Sequence, residues 1–124
     1  MTNIKNIEQS KVLMKAFNNA CITLNYSNDE KSKLLGVNEL TLTQNMQKGF
    51  LPNTKTYEVQ LHFIKMYCSL FTMSGGDSDL MFHWFHFENQ VLSGVPASLC
   101  LSLDGLLKVI QYLDRMQGIN RFTD

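Results

Sequence analysis

The sequence has no excess of charge and no long hydrophobic run, and each absence excludes a class of protein. Eleven Lys and Arg balance eleven Asp and Glu over 124 residues, so the strong positive field of a nonspecific DNA-binding protein is missing. No apolar stretch approaches the ~18 to 20 residues that span a bilayer, and the N-terminus lacks the hydrophobic segment of a signal peptide. We therefore expect a cytoplasmic globular protein.

Cysteine is scarce as well. Cys21, Cys68 and Cys100 are odd in number and far apart, and each stands in an apolar run. This arrangement predicts buried free thiols in a reducing compartment rather than a disulfide framework.

Sequence motifs for catalysis and metal binding are missing too. There is no Gly-x-Ser-x-Gly elbow, and no glycine-rich loop leads into a Lys-Ser or Lys-Thr pair. His83 and His86 are three residues apart on a predicted helix and could point two imidazoles the same way, but no Cys-x-x-Cys or acidic cluster completes a zinc site. The neighbouring aromatic residues favour packing or interface histidines. We expect a non-enzymatic chain with no metal and no cofactor.

The spacing of apolar residues predicts an all-α fold of about seven helices. No segment long enough for a β-strand alternates between apolar and polar residues. After a polar, frayed start over residues 1–8, a first helix follows, and the Ser27–Glu30 capping box opens a second. Pro52 begins a linker in which Thr54 caps the next helix. That helix is expected to be the longest, and five residues trace its apolar stripe: Tyr57, Leu61, Ile64, Cys68 and Phe71.

Three further signals divide the C-terminal part into helices. Ser74-Gly75-Gly76 breaks the long helix, and Asp77 or Ser78 caps the one after it. Pro96 suits the first turn of a short helix. Ser102 caps the last helix, which Gly118 stops. We expect the helix of Trp84 and the last helix to pack as an antiparallel pair around Leu92 and Leu99, with Gly94 allowing the turn.

Residues 28–48 have the layout of a helix-turn-helix. Gly36 stands at the turn, and the small Ser32 lies where the two helices cross. Leu35 and Leu42 supply the apolar contacts that pack the two helices together. The early residues of the second helix would then read base edges, and they are Asn38, Glu39, Thr41, Thr43, Gln44, Gln47 and Lys48. Two ordinary helices joined by a glycine remain the alternative, because few lysines lie nearby to neutralise phosphates.

Spaced residues near the C-terminus form a more specific pattern: Trp84, Asn89, Leu92, Gly94, Pro96, Leu99, Asp104, Gly105, Val109, Leu113, Arg115 and Gly118. This pattern resembles the toxin-binding domain of the MbcA/ParS/Xre antitoxins. The resemblance implies an Xre-like helix-turn-helix region at 9–50, a helical toxin-binding domain at 54–118 and a C-terminal tail at 119–124.

In that family the C-terminal unit binds a RES-domain toxin, which is an enzyme that consumes NAD. The C-terminal end of the antitoxin can cover the toxin's active-site cleft. The resemblance assigns this contact to Arg115, Gln117, Asn120, Arg121 and Phe122. It also implies a homodimer.

The sequence thus predicts an antitoxin of a type II toxin–antitoxin system that binds a RES-like toxin and represses its own operon through DNA binding. The alternatives are a helix-turn-helix transcriptional regulator without a toxin partner, and a helical protein that uses the same fold for another partner.

Overall fold

Seven α-helices build the chain, in a computed structural model that describes residues 4–118. The helices are α1 (Ile4–Thr23), α2 (Asn28–Leu35), α3 (Glu39–Gln44), α4 (Lys55–Met73), α5 (Ser78–His86), α6 (Pro96–Leu99) and α7 (Leu103–Met116). Since this part of the chain contains no strand, the predicted all-α class is confirmed.

The predicted helix starts are confirmed by their capping hydrogen bonds. Ser27 Oγ accepts from the backbone N–H of Glu30 at 3.1 Å, and the Glu30 carboxylate accepts from the backbone N–H of Ser27 at 2.9 Å. The side chains of Thr54, Asp77 and Ser102 cap α4, α5 and α7 in the same manner. Each such cap stabilises its helix by about 1 kcal/mol.

Two helices in the N-terminal half differ from expectation. The start of the chain was expected to fray over residues 1–8, but α1 begins at Ile4 and, at 20 residues, is one residue longer than α4. Polar residues do not oppose a helix, and an established helix extends at little cost. The third helix was expected to reach Lys48, but α3 ends at Gln44. There the Asn45 amide donates to the carbonyl of Thr41 at 2.7 Å, a side-chain bond that competes with further helix.

The core is one continuous cluster centred on α4, which packs against both α1 and α7. Its inward face consists of Val59, Gln60, Phe63, Met66, Ser69 and Leu70. The apolar stripe from Tyr57 to Phe71 instead faces outward: Leu61 is 39% exposed and Phe71 is 48% exposed. α4 has two apolar faces, and on the inner one the Phe63 ring packs against the rings of Phe17 and Tyr26.

The expected pairing of the Trp84 helix with the last helix is limited to the contact of the Trp84 and Tyr112 rings, because α7 packs mainly against α4. α5 turns Met81 and Phe85 toward the core, where the Phe85 ring meets the Tyr26 ring at 5.4 Å. The Tyr26 hydroxyl in turn donates to the carbonyl of Ala97 at 2.8 Å. Through Tyr26, the N-terminal half thus contacts both α5 and α6.

The cysteines are all free thiols, but their burial differs from the prediction. Cys21 and Cys100 are fully buried, and Cys68 is exposed because it belongs to the outward stripe of α4. Desolvation raises the pKa of the Cys21 thiol to about 12, and burial raises the pKa of Cys100 further still. None of the helices in residues 4–118 has the length and hydrophobicity required to span a bilayer.

Candidate functional site

The end of α7 is anchored to α4 by polar contacts. The Ser69 hydroxyl donates to the Asp114 carboxylate at 3.1 Å, in a position where Asp114 is buried. One turn later the Gln117 amide donates to the backbone carbonyl of Ser69 at 2.8 Å. These two contacts hold the last turn of α7 against α4.

The residues predicted to contact a toxin differ in their exposure, and some lie outside the described part of the chain. Arg115 is exposed in the last turn of α7, where a cation complements the helix dipole. Gln117 is half-buried because its amide contacts Ser69. Asn120, Arg121 and Phe122 lie outside the described residues, as does the whole tail 119–124.

A tight turn joins α5 to α6 and explains part of the C-terminal motif. Asn89 and Gly94 exchange backbone hydrogen bonds at 2.9 and 3.2 Å, and the Asn89 side chain accepts from the backbone N–H of Leu92 at 3.0 Å. The left-handed residue of this turn is Ser93, with φ 57°. Gly94, which was expected to allow the turn, lies in it and pairs with Asn89, while the left-handed conformation is one residue earlier.

Gly105 is required by the close approach of α6 to α7. A Cβ at this position would lie 2.7 Å from the carbonyl carbon of Leu99 and closer still to its oxygen. The backbone N–H of Gly105 donates to the Ser102 hydroxyl at 3.2 Å, so the same residue completes the cap. Gly105 therefore determines how α6 and α7 meet.

The other motif positions also have structural roles. Trp84 is half-buried and stacks on Tyr112 of α7, with the rings 6.2 Å apart and 19° from parallel. Pro96 occupies the first turn of α6 as predicted. Gly118 takes φ 70° just after α7 and ends it. These motif positions thus specify the shape of the C-terminal half.

α2 and α3 lie in the region of the predicted helix-turn-helix and are joined by a turn at Gly36. Gly36 adopts φ 69°, as the turn requires, and Ser32, Leu35 and Leu42 are buried where α2 meets α3. The predicted base-reading positions lie on the outside, although Thr41 is half-buried and Asn38 is the N-cap of α3. With six residues, α3 has fewer than two turns to lie in a groove.

The lysines near this motif give little positive surface. Lys31 is 6% exposed and its ammonium donates to the Asn18 side chain at 3.3 Å. Lys33 pairs with Asp29 at 3.2 Å. Lys48 is exposed beyond the end of α3. Because affinity for DNA grows with the number of phosphates neutralised, this face would bind DNA weakly.

The two histidines of α5 take part in packing. His86 Nε2 lies at hydrogen-bond distance from the carbonyl oxygen of Leu24. The His83 ring stacks on Phe87, with the ring centres 4.1 Å apart. Among residues 4–118, no three metal-ligating side chains come together.

The sequence reasoning missed one exposed surface, on the outer side of α5. Leu80 and Phe87 are each 56% exposed and Phe82 is 40% exposed, although Met81 and Phe85 between them are buried. The available signal was that nearly every position from Leu80 to Phe87 is apolar or aromatic, which is more than one buried helix face requires.

Comparison with known proteins agrees with this geometry. Residues 69–118, about two fifths of the chain, match the family described as the antitoxin Xre/MbcA/ParS C-terminal toxin-binding domain. The matched range covers the end of α4 and all of α5, α6 and α7. No curated protein sequence matches the chain. The match of residues 69–118 to this toxin-binding domain confirms the predicted resemblance to the Xre/MbcA/ParS antitoxins and supports an antitoxin role.

Proposed function

We propose that this protein is the antitoxin of a type II toxin–antitoxin pair and neutralises a RES-like, NAD-consuming toxin by binding it directly. The observation that carries the proposal is the toxin-binding domain at residues 69–118. Neutralisation by binding needs no catalytic group in this chain. It needs a rigid surface, and the continuous core built around α4 supplies one.

The C-terminal end of α7 is the proposed point of contact with the toxin's active-site cleft. The bonds of Ser69 to Asp114 and Gln117 hold this end in place, and Arg115 is exposed beside it. A guanidinium presents a fork of donors to polar or acidic groups lining a cleft. The following residues Asn120, Arg121 and Phe122 would extend the contact.

Co-expression with the product of the gene adjacent to the one for this chain, which we expect to be a RES-domain toxin, tests the proposal. We expect the full chain to restore growth and to copurify with that protein. A chain ending at Gly118 should keep the same circular dichroism spectrum and thermal midpoint but protect less. Failure of the full chain to rescue growth or to copurify would refute the antitoxin role, whereas full protection by the truncated chain would refute the contribution of the tail.

Operon repression through α2 and α3 is proposed as a weaker, secondary activity. Because Lys31 is buried and Lys33 is paired, binding to operator DNA should show a shallow salt dependence, with a slope of roughly −0.9 per phosphate neutralised. A mobility-shift assay with the upstream DNA that shows no complex at low salt would refute this activity. The alternative, a transcriptional regulator without a toxin partner, predicts tight operator binding and no copurifying toxin.

We also infer a homodimer formed through the outer faces of α1 and α4. A groove of about 450 Å³ runs between these helices, lined by Lys5, Glu8, Gln9, Val12, Leu13, Ala16, Tyr57 and Leu61. In a two-fold interface each residue of one copy can meet a different residue of the other, so Lys5 can face Glu8 of the second copy. Sedimentation equilibrium should show a dimer that Leu61→Ser weakens; a monomeric wild-type protein would contradict the inference.

A further inference from the structure

The outer side of α5 has a composition that no contact among residues 4–118 explains. Leu80, Phe82, His83 and Phe87 define it and are called the α5 outer face below. Leu80 and Phe87 are each 56% exposed, and Phe82 is 40% exposed. The ring pairs His83–Phe87 and Phe82–His86 hold the aromatic side chains in place, with ring centres 4.1 and 4.5 Å apart.

A helix that is apolar on all sides is expected to be covered on all sides. The inner side of α5 is covered, since Met81 and Phe85 are buried in the core. A partner that covers these outer aromatic side chains would gain about 25 cal/mol of binding free energy for each Å² of apolar area that it buries. Aromatic side chains fixed before binding are typical of interface centres, because little side-chain entropy remains to be lost.

The charges around this face are of one sign. From residue 66 to residue 107 the sequence has four acids, Asp77, Asp79, Glu88 and Asp104, and no Lys or Arg. Asp79 and Glu88 are exposed beside the α5 outer face. The face therefore combines an apolar centre with an acidic rim, and it complements a surface that has an apolar pocket rimmed by Lys or Arg.

We propose that the α5 outer face is a second toxin-contacting surface, separate from the C-terminal end of α7, and that it binds a basic-rimmed apolar patch of the toxin. The proposal rests on the antitoxin function proposed above. Its support is that the whole face lies inside the matched toxin-binding domain, and that its acidic rim calls for a cationic partner.

The same acidic rim argues against two other occupants. In a two-fold contact between copies of this chain, the same patch is used on both sides, so Asp79 and Glu88 would approach the acids of the other copy. Juxtaposed like charges cost several kcal/mol. Nucleic acid is itself an anion and would be repelled. A basic protein surface is the remaining class.

The experiment measures the affinity of purified variants for a catalytically inactivated form of the toxin partner identified in the co-expression experiment. The double variant Leu80→Ser/Phe87→Ser removes the apolar centre, and its affinity should fall about tenfold or more. The matched control is Leu40→Ser, since Leu40 is a 66%-exposed leucine on α3 outside the matched domain. Its affinity should stay within about twofold of wild type, as expected of a surface substitution away from the interface.

A charge-reversal pair tests the acidic rim separately. Glu88→Lys should lower the affinity and flatten its dependence on salt, and Glu88→Gln should have a smaller effect of the same sign. Glu88 follows the end of α5, so neither change disturbs a helix cap. A higher affinity for Glu88→Lys would overturn the proposed charge of the partner surface.

The outcomes separate this proposal from the antitoxin function itself. If the wild-type chain binds the toxin and the folded double variant binds equally well, the α5 outer face is not a toxin contact. If the double variant turns a dimer into a monomer by sedimentation without weakening toxin binding, the face pairs two copies of this chain, and the proposal is again wrong. Absence of toxin binding by the wild-type chain would instead refute the proposed function. Circular dichroism and thermal unfolding confirm that each variant is folded.

Discussion

Replacing Gly105 by alanine tests the packing at the centre of the toxin-binding domain. The added methyl group would lie 2.7 Å from the carbonyl carbon of Leu99 and 3.2 Å from its Cα. Both are backbone atoms, which cannot turn aside as the end of a flexible side chain can. The start of α7 would have to move away from α6.

Two effects of opposite sign compete in this variant. Alanine is the better helix former and could stabilise α7 by at most about 1 kcal/mol. Forcing a methyl group into a packed site costs about 1–3 kcal/mol, and contact with backbone places Gly105→Ala at the upper end. We expect a net loss of about 2 kcal/mol. At about 3–6 °C per kcal/mol for a chain of this size, the thermal midpoint should fall by about 6–12 °C.

Urea and thermal unfolding monitored by circular dichroism measure this loss. Gly118→Ala is the matched control, because Gly118 has φ 70° but no atom of residues 4–118 within 4 Å of the added Cβ. It should cost only the backbone strain of a left-handed alanine, about 1 kcal/mol. If Gly105→Ala were as stable as wild type, or more stable, the gain in helix propensity would equal or exceed the steric cost of the methyl group. That result would refute the close approach of α6 and α7.

Three further predictions concern a helix cap and the thiols. Ser102→Ala should lower the free energy of unfolding by about 1 kcal/mol, while the exposed Ser98→Ala changes it by less than about 0.5 kcal/mol; equal losses would contradict the cap. In the native protein at pH 8, a thiol reagent should label the exposed Cys68 rapidly and the buried Cys21 and Cys100 only after unfolding, and fast labelling of three thiols would contradict their burial. Because the pKa of Cys21 rises from 9.0 to about 12 on folding, the stability that it contributes is complete below pH 9 and falls by about 1.4 kcal/mol per pH unit up to pH 12. A flat unfolding free energy between pH 9 and 11 would contradict that shift.

Local hydrogen-bonding chemistry was readable from the sequence, because a cap and its helix are only three or four residues apart. Ser27 with Glu30, Asp77 and Ser102 each cap the helix that they were predicted to start. The left-handed Gly36 between α2 and α3 was predicted for the same reason. The residues of the C-terminal motif could be recognised because their spacing records this local geometry.

The choice between two possible faces of one helix was not readable. α4 has apolar residues on both sides, and periodicity gives their spacing without saying which side turns inward. The structure buries Phe63 and Met66 and leaves Leu61, Cys68 and Phe71 half-buried or exposed. The outer face of α5 was missed for the same reason, because an apolar position was taken to be a core position.

The central position of α4 links the two halves energetically. The helix contacts both α1 and α7. Local unfolding of either half therefore removes buried contacts from the core of the other half. A partner that binds residues 69–118 and is present at a free concentration of 100 times its Kd would raise the free energy of unfolding by about 2.7 kcal/mol. Because α1 shares its core with α4, α1 would be stabilised as well without contacting the partner. Amide hydrogen exchange in α1 would then slow on complex formation and report occupancy from the far side of the molecule.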